Sequence, residues 1–324
     1  MDAGNQQTQR PAIKKPDTVG QRAKIWFLEL RAPFFTAAIL PVLIGAAFVF
    51  WREETFDLAL VLLTIAGTVS LHAGTNMIND YFDFRSGTDP RNKARTPFNG
   101  GTPFLTEGVL APRKVLFAAL LAFAIGGLIG LYFALTISIW IIPLGVAGAL
   151  LGFLYVAPKI NLAGRGVGEI AVGLGFGPLM VMGTHLVLTG DVNWDSFLIG
   201  LPIGFLITEV LYINQFPDME ADASVGKNHW VVRLGRRKAR VGYPVILGAA
   251  YGFVAAAAII GLAPIPSLLF FLTIPIAVKA SRIVWNNPDN LPALIPAQAL
   301  TIQMHLFGGL LLSVGLALAV FLTV

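Results

Sequence analysis

Apolar residues run along this chain in stretches of about 20, the length that spans the hydrocarbon core of a bilayer. Nine such stretches, near residues 33–51, 58–77, 115–134, 138–157, 168–188, 197–215, 242–262, 266–284 and 301–323, predict nine transmembrane helices around a central cavity. Gly and Pro interrupt many of them, which membrane helices tolerate because neighbouring groups satisfy the freed backbone. The fold class is therefore all-α and polytopic. Residues 1–24 read as a polar, disordered cytoplasmic tail, with no apolar run and cleavage site of a signal peptide, and residues 25–324 as one transmembrane domain.

The polar exceptions to this pattern carry the chemistry. Directly after the apolar run Leu58 to Leu71 comes Asn76-Met-Ile-Asn79-Asp80-Tyr-Phe-Asp83-Phe-Arg-Ser-Gly87-Thr-Asp89. If the helix continues, Asn76, Asp80 and Asp83 stand at i, i+4 and i+7 on one face. The spacing returns at Asn214-Gln-Phe-Pro-Asp218-Met-Glu-Ala-Asp222, again at the end of an apolar run. An Asp near the centre of a membrane helix costs roughly 2.5–3.5 kcal/mol on insertion scales. A solvated helix end accounts for one such cluster; two with the same Asn-x3-Asp spacing call for a shared partner. Two facing acidic clusters suit Mg²⁺, which takes carboxylate oxygens together with water and substrate phosphates. The two clusters also head the halves of an approximate internal repeat: helix, acidic helix end, long basic loop, helical pair.

Composition narrows the class further. The 324 residues are 56% hydrophobic and 13% charged, outside the range of soluble domains. The absence of cysteine excludes disulfides, thiolate metal sites and a Cys nucleophile. The net charge of +5 does not imply nucleic acid, because 22 of the 23 Lys and Arg fall on one side of the nine segments, the expected positive-inside distribution, leaving only Arg52 opposite. The N-terminus is then cytoplasmic, the C-terminus outside, and both acidic clusters face the cytoplasm of a multi-pass protein of the cell inner membrane.

Tyr155-Val-Ala-Pro-Lys159 closes the fourth segment on that same side. Taken alone, an interfacial Tyr with a positive-inside Lys explains it better. Taken together, Asn79-Asp80-x2-Asp83-x5-Asp89, Tyr155-x3-Lys159 and Asp218-x3-Asp222 resemble the UbiA superfamily of intramembrane prenyltransferases, with the match running from Arg31 to the ninth segment. Gly100-Gly-Thr with Glu107-Gly108, Arg165-Gly-Val-Gly-Glu169 leading into Gly175-Phe-Gly-Pro-Leu179, and Gly226-Lys227 leading to Val232-Arg-Leu-Gly235 are most similar to the 1,4-dihydroxy-2-naphthoate polyprenyltransferases of menaquinone synthesis.

The resemblance implies transfer of a polyprenyl group from a polyprenyl diphosphate to an aromatic acceptor within the lipid bilayer. It implies Mg²⁺ on Asp80, Asp83, Asp218 and Asp222, with Tyr155 and Lys159 also catalytic. Asn76, Asn79, Asn214, Lys227, Arg91 and Lys93 become substrate contacts, Asn76 and Asn214 orienting carboxylates or metal-bound water. Tyr81, Phe82, Tyr155 and Tyr212 are expected to shield an allylic cation, and the isoprenoid tail to leave between helices. The chain departs from the pattern at Pro217, where those enzymes usually carry Arg, which opens the acceptor to 4-hydroxybenzoate, homogentisate, a tetrapyrrole or a glycerophosphate lipid. A secondary transporter with inverted repeats is the alternative outside the enzymes.

Several single residues receive plainer readings. His72 and His185 read as satisfied interhelical hydrogen bonds. Glu209 is an intramembrane acid expected near the cavity, and Asp89 either a metal ligand or a loop cap. The glycines from 164 to 177 follow no strand and read as close helix packing rather than a nucleotide loop.

Overall fold

The computed structural model describes residues 16–91, 94, 96, 98, 99, 101–157 and 160–322, and among the described residues it contains helices and no strand. In chain order they are α1 (Val19–Glu29), α2 (Ala32–Glu53), α3 (Leu58–Ser86), α4 (Thr88–Arg91), α5 (Pro112–Thr136), α6 (Ile141–Val156), α7 (Gly168–Thr189), α8 (Trp194–Ser224), α9 (Trp230–Leu234), α10 (Arg236–Ile259), α11 (Ile265–Asn286) and α12 (Leu291–Leu322). Eight of these, α2, α3, α5, α7, α8, α10, α11 and α12, are long and apolar enough to cross a membrane. The stretch expected at 138–157 forms α6, which is apolar but only 16 residues long.

The polar tail ends earlier than its composition predicts. Thr18 and Gln21 form a capping box, the Thr18 hydroxyl accepting from Gln21 N at 3.2 Å while the Gln21 side chain accepts from Thr18 N at 3.3 Å. Residues 19–24 are therefore helix, not disordered tail; residues 1–15 lie outside the described residues.

α3 is the long strut of the site. The Asp57 side chain caps its start, accepting from Leu60 N at 3.0 Å, and Gly87 ends it with a φ of 81°, a left-handed turn open to glycine. The 29 residues between are one helix, so Asn76, Asp80 and Asp83 do continue the apolar run without a break.

α7 is interrupted by a wide turn over Gly175–Leu179 around Pro178. Here Gly173 and Gly177 lie against Gly200 and Gly204 of α8, so close that a Cβ on Gly177 would stand 2.5 Å from the Gly204 Cα. Close packing of small residues is how helices associate where no hydrophobic drive separates them from lipid.

α2 packs between α7 and α12, α3 against α5, and α8 against α7, α10 and α12. Leu40, Ile203, Leu206, Phe270 and Met304 fill the centre of that assembly. On the other side Phe117, Leu128, Leu135 of α5 and Phe153 of α6 point outward, an apolar surface suited to acyl chains. Between the two sides, α2, α3, α5, α6, α7 and α8 enclose one cavity of about 450 Å³, to which α10, α11 and α12 contribute no lining residue.

Candidate active site

The cavity is polar at one end and apolar at the other. Asn76, Asn79, Asp83, Asp89, Asn99, Asn214, Asp218, Asp222, Lys227 and His229 line the first, while Gly67, Ile129, Phe133, Leu144 and Val187 line the second. The gradient follows from helix periodicity. The face of α3 that presents Asn76, Asn79 and Asp83 presents Thr64, Gly67 and Leu71 about one to five turns earlier.

The two acidic helix ends meet through one lysine. Lys227, on the turn between α8 and α9, donates to Asp83 Oδ1 at 2.6 Å and lies 3.6 Å from Asp222 Oδ1. Burial alone lowers the Lys227 pKa, but the Asp83 and Asp222 carboxylates outweigh it and hold the ammonium protonated above the usual lysine range. Asn79 Nδ2 donates to Asp83 Oδ2 at 3.2 Å, and His229 Nε2 stands 3.2 Å from Asp222 Oδ2. Asp218 accepts from Asn99 of the loop after α4.

Asp80 takes a different place from the one expected of a cavity ligand. It is fully buried, does not line the cavity, and is paired with Arg31 while accepting from Thr102 N at 3.1 Å. Thr102 also donates to Glu29 at the end of α1. Burial and the neighbouring Asp80 charge push Glu29 up to about 7 against the pull of Thr102 and Arg31. Arg31, in the left-handed region at φ 54°, does line the cavity; burial lowers its pKa, and Asp80 and Asp89 raise it by more. Arg31 and Lys227 are thus the Arg and Lys lining the cavity among the described residues, and α8 runs unbroken through Pro217, where the resemblance leads one to expect a cation.

The two asparagines do structural work. Asn76 Nδ2 donates to Leu30 O at 3.1 Å, tying α3 to the α1–α2 turn. Asn214 donates to Phe98 O at 3.0 Å and accepts from Gln298 Nε2 at 2.9 Å, tying α8 to the loop and to α12. Both still line the cavity, but neither contacts an Asp by a side-chain hydrogen bond among the described residues.

Other expectations divide. Tyr155 lines the cavity, whereas Tyr81 and Phe82 pack on each other at 5.5 Å outside it and Tyr212 donates to Ala239 O at 2.6 Å. Phe34, Phe123, Phe133 and Phe176 supply the aromatic walls instead. Lys159 and Lys93 lie outside the described residues, as does the side chain of Arg91. Glu209 is fully buried beside, not in, the cavity, with both carboxylate oxygens lacking a hydrogen-bond partner among the described residues.

Sequence reasoning missed Glu169 and Asn99. Glu169 Oε1 accepts from Gln215 Nε2 at 3.0 Å and from Trp230 N at 2.9 Å, anchoring the segment that carries Lys227 and His229. An acid in the first turn of an otherwise apolar helix was the available signal for Glu169. Nothing local marks Asn99.

Among the described residues no three His, Asp or Glu side chains converge on one point. The donors nevertheless fit a hard divalent cation: Asp83, Asp89, Asp218 and Asp222 offer carboxylate oxygens around one open mouth. Mg²⁺ is ordinarily held by one or two carboxylates with water and substrate phosphates, rather than by an all-protein cage.

Residues 38–302 match the UbiA prenyltransferase family. The chain is 29% identical over 299 residues to 1,4-dihydroxy-2-naphthoate octaprenyltransferase of Bacillus subtilis, covering 92% of this chain and 93% of that one. It is 32% identical over 228 residues to the protein of that name from Mycobacterium tuberculosis, covering 69% and 75%. Its fold is similar to that of a UbiA homolog from Archaeoglobus fulgidus bound to DMAPP and Mg2+, with a TM-score of 0.61 at 18% identity over 89% of this chain and 99% of that one.

Proposed function

The chain belongs to the UbiA prenyltransferase family, and from that premise we propose that it transfers a polyprenyl group from a polyprenyl diphosphate to 1,4-dihydroxy-2-naphthoate. The observation that carries this reading is the cavity whose polar mouth joins Asp83 and Asp222 through Lys227 and whose other end is apolar. A diphosphate with a long hydrocarbon tail has the same two ends. The acceptor follows the names of the Bacillus and Mycobacterium relatives.

In this reading Asp83, Asp89, Asp218 and Asp222 would hold divalent cations, which would supply positive charge against the leaving diphosphate. Asp80 holds Arg31 instead. Arg31 and Lys227 contact phosphate oxygens directly, Lys227 exchanging its Asp83 contact for the substrate. Lys159, Lys93 and Arg91 remain candidates for further phosphate contacts. Phe176, Phe123 and Tyr155 exclude water from the allylic carbon, and the tail lies along the glycines of α3, α5 and α6. The distribution of 22 of 23 Lys and Arg supports a mouth open to the cytoplasm, an N-terminus on that side and an inner-membrane location.

Protein reconstituted in lipid with Mg²⁺, a polyprenyl diphosphate and a panel of aromatic acids tests the reading by mass spectrometry of products. Prenylated naphthoate is the expected product. Turnover of another acceptor alone would keep the reaction class and overturn the acceptor; no diphosphate release with any acceptor would overturn the reading.

A further inference from the structure

His72 is a cavity-lining histidine whose chemistry the site above leaves unused. It sits on α3 one turn before Asn76, on the face that carries Asn79 and Asp83, and so lies between the acidic mouth and the apolar end. By helix rise it is about 6 Å from Asn76 and about 16 Å from Asp83 along the axis.

Its surroundings contradict the interhelical hydrogen bond its sequence context predicts. His72 is 7% exposed, and its Nδ1 is buried with no hydrogen-bond partner among the described residues. Its ring neighbours are aromatic: Phe176 at 4.8 Å between centroids, edge to face, and Phe35 at 5.8 Å. His185, by contrast, has Nδ1 3.1 Å from Asp191 O and 3.2 Å from the Thr189 hydroxyl, an ordinary structural histidine. His229 Nε2 stands 3.2 Å from Asp222 Oδ2 in the acidic mouth, and His305, whose Nε2 also lacks a hydrogen-bond partner among the described residues, does not line the cavity.

A buried ring nitrogen left without a partner is costly and calls for an explanation. The cavity that His72 lines can supply the partner, because the ring contacts, Phe176 and Phe35, offer no acceptor or donor. A half-turn about Cβ–Cγ carries that nitrogen to the opposite edge of the ring. The attacking aromatic ring must meet the first carbon of the prenyl chain, next to the diphosphate and on its apolar side. Phe176, which lines the cavity beside His72, flanks that depth with an apolar ring for the acceptor to lie against.

We propose that the His72 imidazole hydrogen-bonds a ring hydroxyl of the aromatic acceptor and so sets which ring carbon faces the prenyl donor. The ligand class is a hydroxylated bicyclic aromatic acid, and the inference rests on the prenyltransferase reading above. A site built to pair a hydroxyl discriminates strongly against the analogue that lacks it, which gives the proposal its measurable signature.

The test is steady-state kinetics of wild type, His72→Gln and His72→Phe in lipid, varying each substrate in turn, with acceptors bearing and lacking one ring hydroxyl. Thermal unfolding of each variant shows whether it is folded, and His72→Gln keeps a donor and an acceptor in nearly the same volume. His72→Phe is expected to raise KM for the acceptor about tenfold, with KM for polyprenyl diphosphate unchanged. Its preference for the dihydroxy acceptor over the monohydroxy analogue should collapse, and His72→Gln should recover part of it. Unchanged acceptor KM and selectivity in a folded His72→Phe protein would overturn the proposal. So would a rise confined to the KM of the prenyl donor, which would make His72 part of the tail path. Absence of turnover in the wild type would instead count against the prenyltransferase reading itself.

Discussion

Lys227 Nζ lies 2.6 Å from Asp83 Oδ1, an ion pair between side chains 144 positions apart that brings the two acidic helix ends to one mouth. Both side chains are only 15% exposed, so neither charge is well solvated without the other. Removing one partner of a buried pair leaves an uncompensated charge, a cost of about 3–5 kcal/mol. Lys227→Met should therefore lower the unfolding temperature in metal-free buffer by several degrees. Added Mg²⁺ should restore much of it by taking the place of the ammonium between Asp83 and Asp222. Thermal unfolding with and without Mg²⁺ reads both effects; a variant indifferent to the metal would contradict the assignment of these carboxylates.

Glu169 holds the Lys227 segment from behind through Gln215 and Trp230 N. Glu169→Ala removes two acceptor contacts inside the protein and should cost about 2–4 kcal/mol of stability. Activity should fall while the Mg²⁺ concentration for half-maximal rate stays near the wild-type value, because Glu169 does not line the cavity. A large shift in that concentration would make it a member of the metal site.

Two kinds of glycine line these helices, and substitution separates them. Gly177→Ala should destabilise by about 1–3 kcal/mol, since the new Cβ stands 2.5 Å from Gly204. Gly148 lines the cavity instead, and a Cβ there meets nothing within 4 Å. Gly148→Phe should fold and fill the apolar end, so kcat/KM should drop for long polyprenyl diphosphates and hold for short ones. Equal loss across chain lengths would show that the tail does not pass Gly148.

Glu29 ties part of the stability to pH. Its ordinary carboxyl value is 4.5, and burial with the Asp80 charge raises it to about 7 in the folded protein. Between those values the folded state binds a proton that the unfolded state has released, so stability falls as pH rises from about 4.5 to 7 and levels off above. Glu29→Gln should flatten that segment of an unfolding-temperature profile. An unchanged slope would assign it to other groups.

Much of this architecture is legible in the sequence because lipid imposes a simple rule on composition. The nine apolar stretches all form helix, the two acidic helix ends lie at one mouth where Lys227 contacts Asp83 and Asp222, and the glycines before Pro178 are packing surfaces. Local pattern cannot reveal partners set by folding back. Asp80 and Asp83 look equivalent three residues apart, yet one faces Arg31 and the other the cavity, a difference decided by where the α1–α2 turn and Thr102 arrive. Asn76 and Asn214 look like escorts for the carboxylates and instead hold Leu30 O and Phe98 O. Asn99 has no pattern around it, and its role exists only because Asp218 lies 119 residues further on.

The most direct measurement is Mg²⁺-dependent diphosphate release from a polyprenyl diphosphate and 1,4-dihydroxy-2-naphthoate by wild type, Asp83→Asn, Asp222→Asn and Lys227→Met in lipid, each shown to be folded. Charge stabilisers of this kind are worth about 100- to 1,000-fold in rate. Release by the wild type that falls at least about 100-fold in all three variants is the result expected if one mouth, built from both helix ends, holds the diphosphate. Full release by either Asp variant would contradict it.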